Sequence, residues 1–405
     1  VSIADGTNGG LASNYTLTGG THNFTVNRRV IGVSGTRLYD ATTNAAASDL
    51  STHSNLVGSQ TLSLSGTGTL ANKHVGSNKT VTINTLALAD GSNGGLAANY
   101  TLTGGTHQLT VNQRPLNATL ARQYDATTTA AGSTLSSFDA LQGGENLTMS
   151  GSGTAVSKNV ANGIAMASNG NLALADGSGG TAGLASNYSL NSTVINISKR
   201  VLNSSGSKTY DANTNAIASA ITLSNLVGTQ TVNHSGTAST SSANAGSYTI
   251  TNLSGVSIAD GTNGGLASNY TLTGGTHNFT VNRRVIGVSG TRLYDATTNA
   301  VASDLSTHTN LVGSQTLNLS GTGTIASKDV GSNKTVSINT LALADGSNGG
   351  LAANYTLSSG THQLTVNQRP LNATLARQYD GTTNAAGSTL SSLDALQGGE
   401  TLTMT

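Results

Sequence analysis

One motif governs what this chain can fold into. Arg37-Leu38-Tyr39-Asp40-Ala41-Thr42 returns as Arg122-Gln123-Tyr124-Asp125-Ala126-Thr127, Lys208-Thr209-Tyr210-Asp211-Ala212-Asn213, Arg292-Leu293-Tyr294-Asp295-Ala296-Thr297 and Arg377-Gln378-Tyr379-Asp380-Gly381-Thr382. The five tyrosines are spaced 85, 86, 84 and 85 positions apart. A second marker, Asn-Tyr, keeps the same beat at Tyr15, Tyr100, Tyr188, Tyr270 and Tyr355, and of the 11 tyrosines only Tyr248 lies outside both motifs. A period this long and regular means an array of small domains, each large enough for one core of its own. Function then belongs to the array first and to single residues second.

The period divides the chain into the second half of a repeat at 1–28, complete repeats at 29–113, 114–199, 200–283 and 284–368, and the first half of a repeat at 369–405. The divisions fall at Arg28-Arg29, Arg114-Pro115, Lys199-Arg200, Arg283-Arg284 and Arg369-Pro370. The only two prolines sit at these joints, where they hold the preceding residue extended and suit a short stiff connector. Residues from 29 onward match those from 284 onward at an offset of 255, a duplicated block of three repeats. The copies differ at Ala46/Val301 and Leu70/Ile325, expected to be buried, at Ser54/Thr309, and at His74/Asp329, expected to face solvent. Val1 corresponds to Val256, and Met404-Thr405 to Met149-Ser150, so the chain reads as a window of a longer repetitive polypeptide.

Within a repeat, Thr61–Ser65, Thr80–Asn84, Tyr100–Thr103 and Gln108–Asn112 alternate apolar and polar residues with the period of a half-buried strand. Gly66-Thr67-Gly68, Asp90-Gly91-Ser92-Asn93-Gly94-Gly95 and Gly104-Gly105 supply turns between them. Asn44–Leu50 is the one plausible helical turn. With no Trp, three Phe and much Ala, Leu, Val, Thr and Ser, the cores must be thin and aliphatic. The fold expected is all-β: a tandem array of small antiparallel β-sandwich domains of about 85 residues. A continuous β-solenoid suits the composition too, and ranks lower because no sub-period of about 20 residues divides the longer one.

Charged residues are 9 % of the chain and the net charge is +1, so no strong field invites nucleic acid or acidic lipid. There is no cysteine, hence no disulfide, thiolate metal site or thiol nucleophile. No apolar run is long enough to span a membrane as a helix.

The succession of a Tyr-Asp start, Thr-Thr-Asn-Ala, Leu-Val-Gly, Leu-Ser-Gly-Thr-Gly, Lys-x-Val-Gly-Ser-Asn-Lys-Thr-Val and Asn-Tyr-Thr-Leu resembles the YDG repeat of large haemagglutinin-like exoproteins of Gram-negative bacteria. The resemblance covers essentially the whole chain. The glycine of the motif survives only at Gly381, and Ala41, Ala126, Ala212 and Ala296 replace it, which reads as a relaxed third position. The 200–283 repeat is looser, with Ser241–Tyr248 in place of Lys-x-Val-Gly-Ser. The resemblance implies a two-partner-secreted adhesin, exported through an outer-membrane partner and displayed at the bacterial cell surface.

The Tyr-Asp pairs read as structural: a buried phenol bonded to backbone, with the Asp accepting from turn amides two residues on. The Asn-Tyr tyrosines read as core anchors. The loops at Asp5, Asp90, Asp176, Asp260 and Asp345 offer one Asp and at most one Asn each, whereas calcium needs several converging oxygens. They read as glycine turns, and no cofactor is expected, with calcium the one ion their chemistry leaves open. His22, His107, His277 and His362 read as exposed strand residues without a ligand cluster. Glu145 and Glu400 are the only glutamates, at equivalent positions, and no catalytic pair emerges, so the chain is not expected to be an enzyme. Lys79 and Lys334 lack the buried acid that a crosslink to asparagine requires. Asn-x-Ser/Thr triplets, the acceptor pattern for N-glycosylation, begin at Asn14, Asn23, Asn78, Asn99 and Asn117, and a chain this rich in Asn, Ser and Thr produces many by chance.

The function expected is mechanical: a stalk or fibre of a secreted adhesin, its beads contacting neighbouring repeats and, through sheet edges, identical chains. The alternative is a multivalent module of weak glycan or cell-binding sites, with tyrosine as the aromatic platform.

Overall fold

The computed structural model describes residues 1–131, 133–250 and 253–404; Thr405, included above in the last half-repeat, lies outside them. Its contacts divide into two compact units, Val1–Ser198 and Lys199–Thr405. Among the described residues the regular structure is strand and single-turn 3-10 helix, and no helix is long and apolar enough to cross a membrane. The architecture is all-β and tandem.

Residues 29–113 show how one segment is built. Its main strands are β1 (Arg29–Val30), β2 (Gly32–Leu38), β3 (Asn44–Ala46), β4 (Thr52–Ser54), β5 (Leu62–Ser65), β6 (Thr67–Leu70), β7 (Gly76–Thr82), β8 (Ala87–Asp90), β9 (Tyr100–Thr101) and β10 (His107–Asn112). Six of them form one sheet in the order β3-β6-β7-β10-β2-β4, with β5-β8 and β1-β9 as small separate pairs. Most ladders are antiparallel, as the alternating pattern implies. The pair that closes the segment is not: β10 runs parallel to β2, from His107 beside Val33 to Asn112 beside Leu38. The physical reason is continuity. First and last long strands run in the same direction, and the intervening strands supply the crossover that a parallel pair requires. The 284–368 segment repeats this order, and Arg114–Gln123 pairs in parallel with Tyr188–Ser198 in the next segment of the first unit. Ser204–Thr209 pairs likewise with His277–Asn282.

Alternation along β10 buries His107, Leu109 and Val111 and leaves Asn112 exposed. These pack with Ile31, Val33, Leu50, Leu70 and Val81 in a small aliphatic core to which Tyr39 and Tyr100 add the aromatic bulk. The stretch expected as a helical turn is β3 followed by one 3-10 turn, Ala47–Asp49. That turn lies against β2 at Gly35, where a Cβ would stand 1.8 Å from the Asp49 carbonyl oxygen, so the contact demands glycine. The exchange Leu70/Ile325 is buried, as expected, whereas Val301 is exposed on a short edge strand.

Gly290 repeats the approach, 1.8 Å from the Asp304 carbonyl. Gly290→Ala is expected to force the 3-10 turn off the sheet and to destabilise the Lys199–Thr405 unit by about 1–3 kcal/mol. Thermal unfolding of the full chain checks this; an unchanged melting curve would contradict the close contact.

Candidate functional site

Parallel closure decides where the motif residues go. Because β2 and β10 end together, Tyr39 leaves the sheet beside Asn112, and its amide donates to the Asn112 carbonyl at 2.9 Å. Two residues beyond Asn112, Arg114 Nε donates back to the Tyr39 carbonyl at 2.6 Å. The Tyr-Asp motif of one segment and the basic residue opening the next therefore meet at one point.

The Asp40 carboxylate accepts from the Thr42 amide at 3.0 Å, and Asp125, Asp211, Asp295 and Asp380 accept likewise from the amide two residues on. Arg37, almost fully buried, spans this loop, with its guanidinium on Asp40, Thr42 and the Asn44 carbonyl. Lys208 does the same on Asp211 and the carbonyls of Asn213 and Asn215. The clasp explains why a base precedes every Tyr-Asp. The third position is not relaxed. Ala41, Ala126, Ala212 and Ala296 keep φ of 61–64°, beside 74° at Gly381, so alanine bears a left-handed backbone that glycine adopts freely.

Where the sequence suggests a backbone partner, the Tyr39 hydroxyl meets a side chain. Tyr39 donates to Glu145 Oε1 at 2.6 Å, a residue of the following segment. Tyr188 of that segment donates to Glu145 Oε2 at 2.8 Å, and Lys73 reaches Oε1 at 2.5 Å. The two tyrosine rings meet edge to face, 5.2 Å between centroids and 77° between planes. Asn187 completes the contact: its Oδ1 accepts from the Val75 amide at 3.1 Å and its Nδ2 lies 3.1 Å from His74 Nδ1. His74, expected to face solvent, thus serves the joint. The Tyr-Asp marker reaches forward and the Asn-Tyr marker reaches back.

The second unit repeats the arrangement twice. Tyr210 and Tyr355 meet at 5.3 Å and 77°, bonded through Gln315, while Asn354 Oδ1 accepts from the Ala245 amide at 2.8 Å and Arg284 donates to the Tyr210 carbonyl. Tyr294 and Lys328 both bond to Glu400, and Arg369 Nε donates to the Tyr294 carbonyl at 2.6 Å. Tyr100, Tyr124 and Tyr270 are buried too, with Tyr100 and Tyr270 bonded to Gln60 and Gln230. Tyr15 and Tyr379, in the half-segments, are 71 % and 96 % exposed.

Burial acts to raise the Glu145 carboxyl, but hydrogen bonds from Lys73, Tyr39 and Tyr188 outweigh it and hold it below its ordinary value. Burial and the neighbouring carboxylate push Tyr39 up strongly and Tyr188 up to about 12.

The remaining candidates make local hydrogen bonds. Asp5, Asp90, Asp176, Asp260 and Asp345 each accept, at 2.7 Å, from the amide that opens the 3-10 turn just before the Asn-Tyr tyrosine. Among the described residues no group of three or more His, Asp or Glu is placed to hold a metal ion. His107, His277 and His362 are buried, not exposed: each ring bonds the carbonyl five residues back and faces the neighbouring parallel strand, which an alternation pattern does not reveal. Lys79 reaches Asn72 Oδ1 and backbone carbonyls of its own loop. Glu145 is the joint residue that the motifs do not point to, although the rarity and matched positions of the two glutamates mark it, while Lys73 opens the Lys-x-Val-Gly-Ser stretch.

A family model described as YDG domain matches residues 25–108, 198–277 and 280–363. No curated protein matches the chain.

Two outcomes follow from the joint. Ala41→Gly is expected to stabilise the Val1–Ser198 unit by about 0.5–1 kcal/mol, by releasing left-handed strain, as read by melting temperature. Since Glu145 lies below its ordinary 4.5 when folded, its contribution is present above that value and is lost as pH falls through the folded value. Since Tyr188 lies above its ordinary 10, its contribution is present below 10 and is lost as pH rises through about 12. Wild type is therefore expected to lose more melting temperature than Glu145→Gln between about pH 6 and pH 3; equal losses would refute the role of the carboxylate.

Proposed function

The chain belongs to the YDG-domain family, and on that footing we propose that it is a load-bearing repeat region, the stalk or fibre of a secreted bacterial surface adhesin. One observation carries this reading: the residues that stand out from a plain Ala/Ser/Thr/Asn/Gly background are spent on contacts between consecutive segments. Tyr39, Glu145, Lys73, Tyr188 and Asn187 converge at one joint, and Tyr210, Gln315, Tyr355 and Asn354 at another. Large buried side chains and charge-assisted hydrogen bonds thus join one segment to the next. A pull along the chain loads these contacts directly, because Tyr39 and Arg114 sit where one segment hands over to the next.

Multivalent glycan binding is the weaker reading, because Tyr100, Tyr188, Tyr270 and Tyr355 are buried and offer no stacking platform. No catalytic role is proposed for the chain. Export through an outer-membrane partner and residence at the cell surface belong to this proposal through the family resemblance.

Electron imaging of the native material is expected to show single beaded threads with a spacing on the order of 35–45 Å, the scale of a small sandwich. Laterally fused or helically wound fibres would instead make the repeats an assembly surface between chains and overturn the stalk.

A further inference from the structure

The only two glutamates of the chain lie at joints, and their position forms a series: Gln60, Glu145, Gln230, Gln315 and Glu400, each 85 residues from the next. In all four complete segments this side chain receives the Asn-Tyr hydroxyl, from Tyr100, Tyr188, Tyr270 and Tyr355 respectively. What changes is the residue the preceding segment supplies. Lys73 stands on Glu145 and Lys328 on Glu400, both at 2.5 Å. Where Gln315 occupies the joint, the corresponding residue is Ala243. The register fixes this equivalence: Gly76 pairs with Val111 as Gly246 pairs with Val281, and the Val75 and Ala245 amides donate to Asn187 and Asn354 alike.

The chemistry accounts for the difference. A carboxylate is acceptor-only, so Glu145 accepts a hydrogen bond from Tyr39 on one oxygen and from Tyr188 on the other, and its buried charge still needs a cation. The Gln315 amide carries its own donor. Its Nε2 gives to the Tyr210 hydroxyl at 2.9 Å while its oxygen accepts from Tyr355, so the joint closes neutral and requires no lysine.

We infer that these two positions form a one-sided pairing rule between neighbouring segments. A segment presenting glutamate fits only behind a segment presenting lysine, whereas a segment presenting glutamine needs no lysine before it. The order of segments along the chain obeys the rule. Each glutamate follows a lysine-bearing segment, and the alanine-bearing segment is followed by glutamine. The segments are therefore not interchangeable beads: the face made by Glu145, Tyr188 and Asn187 selects its partner by charge, and this holds whether or not the array serves as a stalk.

The test uses the full chain and reads amide exchange at the two reporters that cross a joint, Ala245 and Val75. Gln315→Glu places a carboxylate before Ala243 and is expected to lower protection of the Ala245 amide at least tenfold, with Ala243→Lys added in the same chain restoring it. In the other unit, Lys73→Ala is expected to lower Val75 protection, and Lys73→Ala combined with Glu145→Gln to recover it. Full protection of Ala245 in the Gln315→Glu chain, or failure of Ala243→Lys to restore it, overturns the rule; so does a Lys73→Ala defect that Glu145→Gln does not relieve.

Discussion

The parallel ladder between the first and last long strands of a segment is the constraint from which the rest follows. Val33–Leu38 and His107–Asn112 lie more than 70 residues apart in sequence, and pairing them closes a long loop before its contacts are gained. The ladder buries Val33, Leu109 and Val111 in the middle of the core. It also ends both strands at one place. Tyr39 and Arg114, which follow those ends, are brought together by the closure and not by any affinity of their own. The joint is thus a product of the sheet.

At the centre of that joint lies a buried carboxylate. Glu145 is satisfied on both oxygens by tyrosine hydroxyls and neutralised by Lys73, which offsets the cost of burying its charge. Charge-assisted bonds of this kind run to about 1.5–3 kcal/mol each, against roughly 0.5–1.5 kcal/mol for the neutral bonds at Gln315. Losing one partner costs more than the bond itself, because the remaining charge stays buried. Two chemically different joints can thus be built on one backbone geometry, as the matching 77° ring pairs show.

Much of this was legible in the residues, and the misses have physical causes. Strand positions follow from period-two alternation, which is local, and Gln108–Asn112 lies within the strand it implies. Alternation carries no information about which strand is the neighbour, so the parallel pair was out of reach. The Tyr-Asp motif pointed to a buried phenol and an Asp turn, but its hydroxyl partner lies 106 residues away. The alanines in place of the motif glycine looked like tolerance because a sequence does not display φ. The histidines looked exposed because Gly-Gly-Thr-His resembles a solvated turn, until the ring folds back onto its own turn carbonyl.

By itself the sequence determined the period, the all-β class, the thin aliphatic cores and the family, because each rests on residue type and spacing along one chain. Only the tertiary structure decided the direction of the closing ladder, the left-handed backbone behind Tyr-Asp, and the meeting of Tyr39, Glu145, Lys73 and Tyr188 across two segments. Those depend on which distant strands end at the same point, and that is a property of the folded sheet.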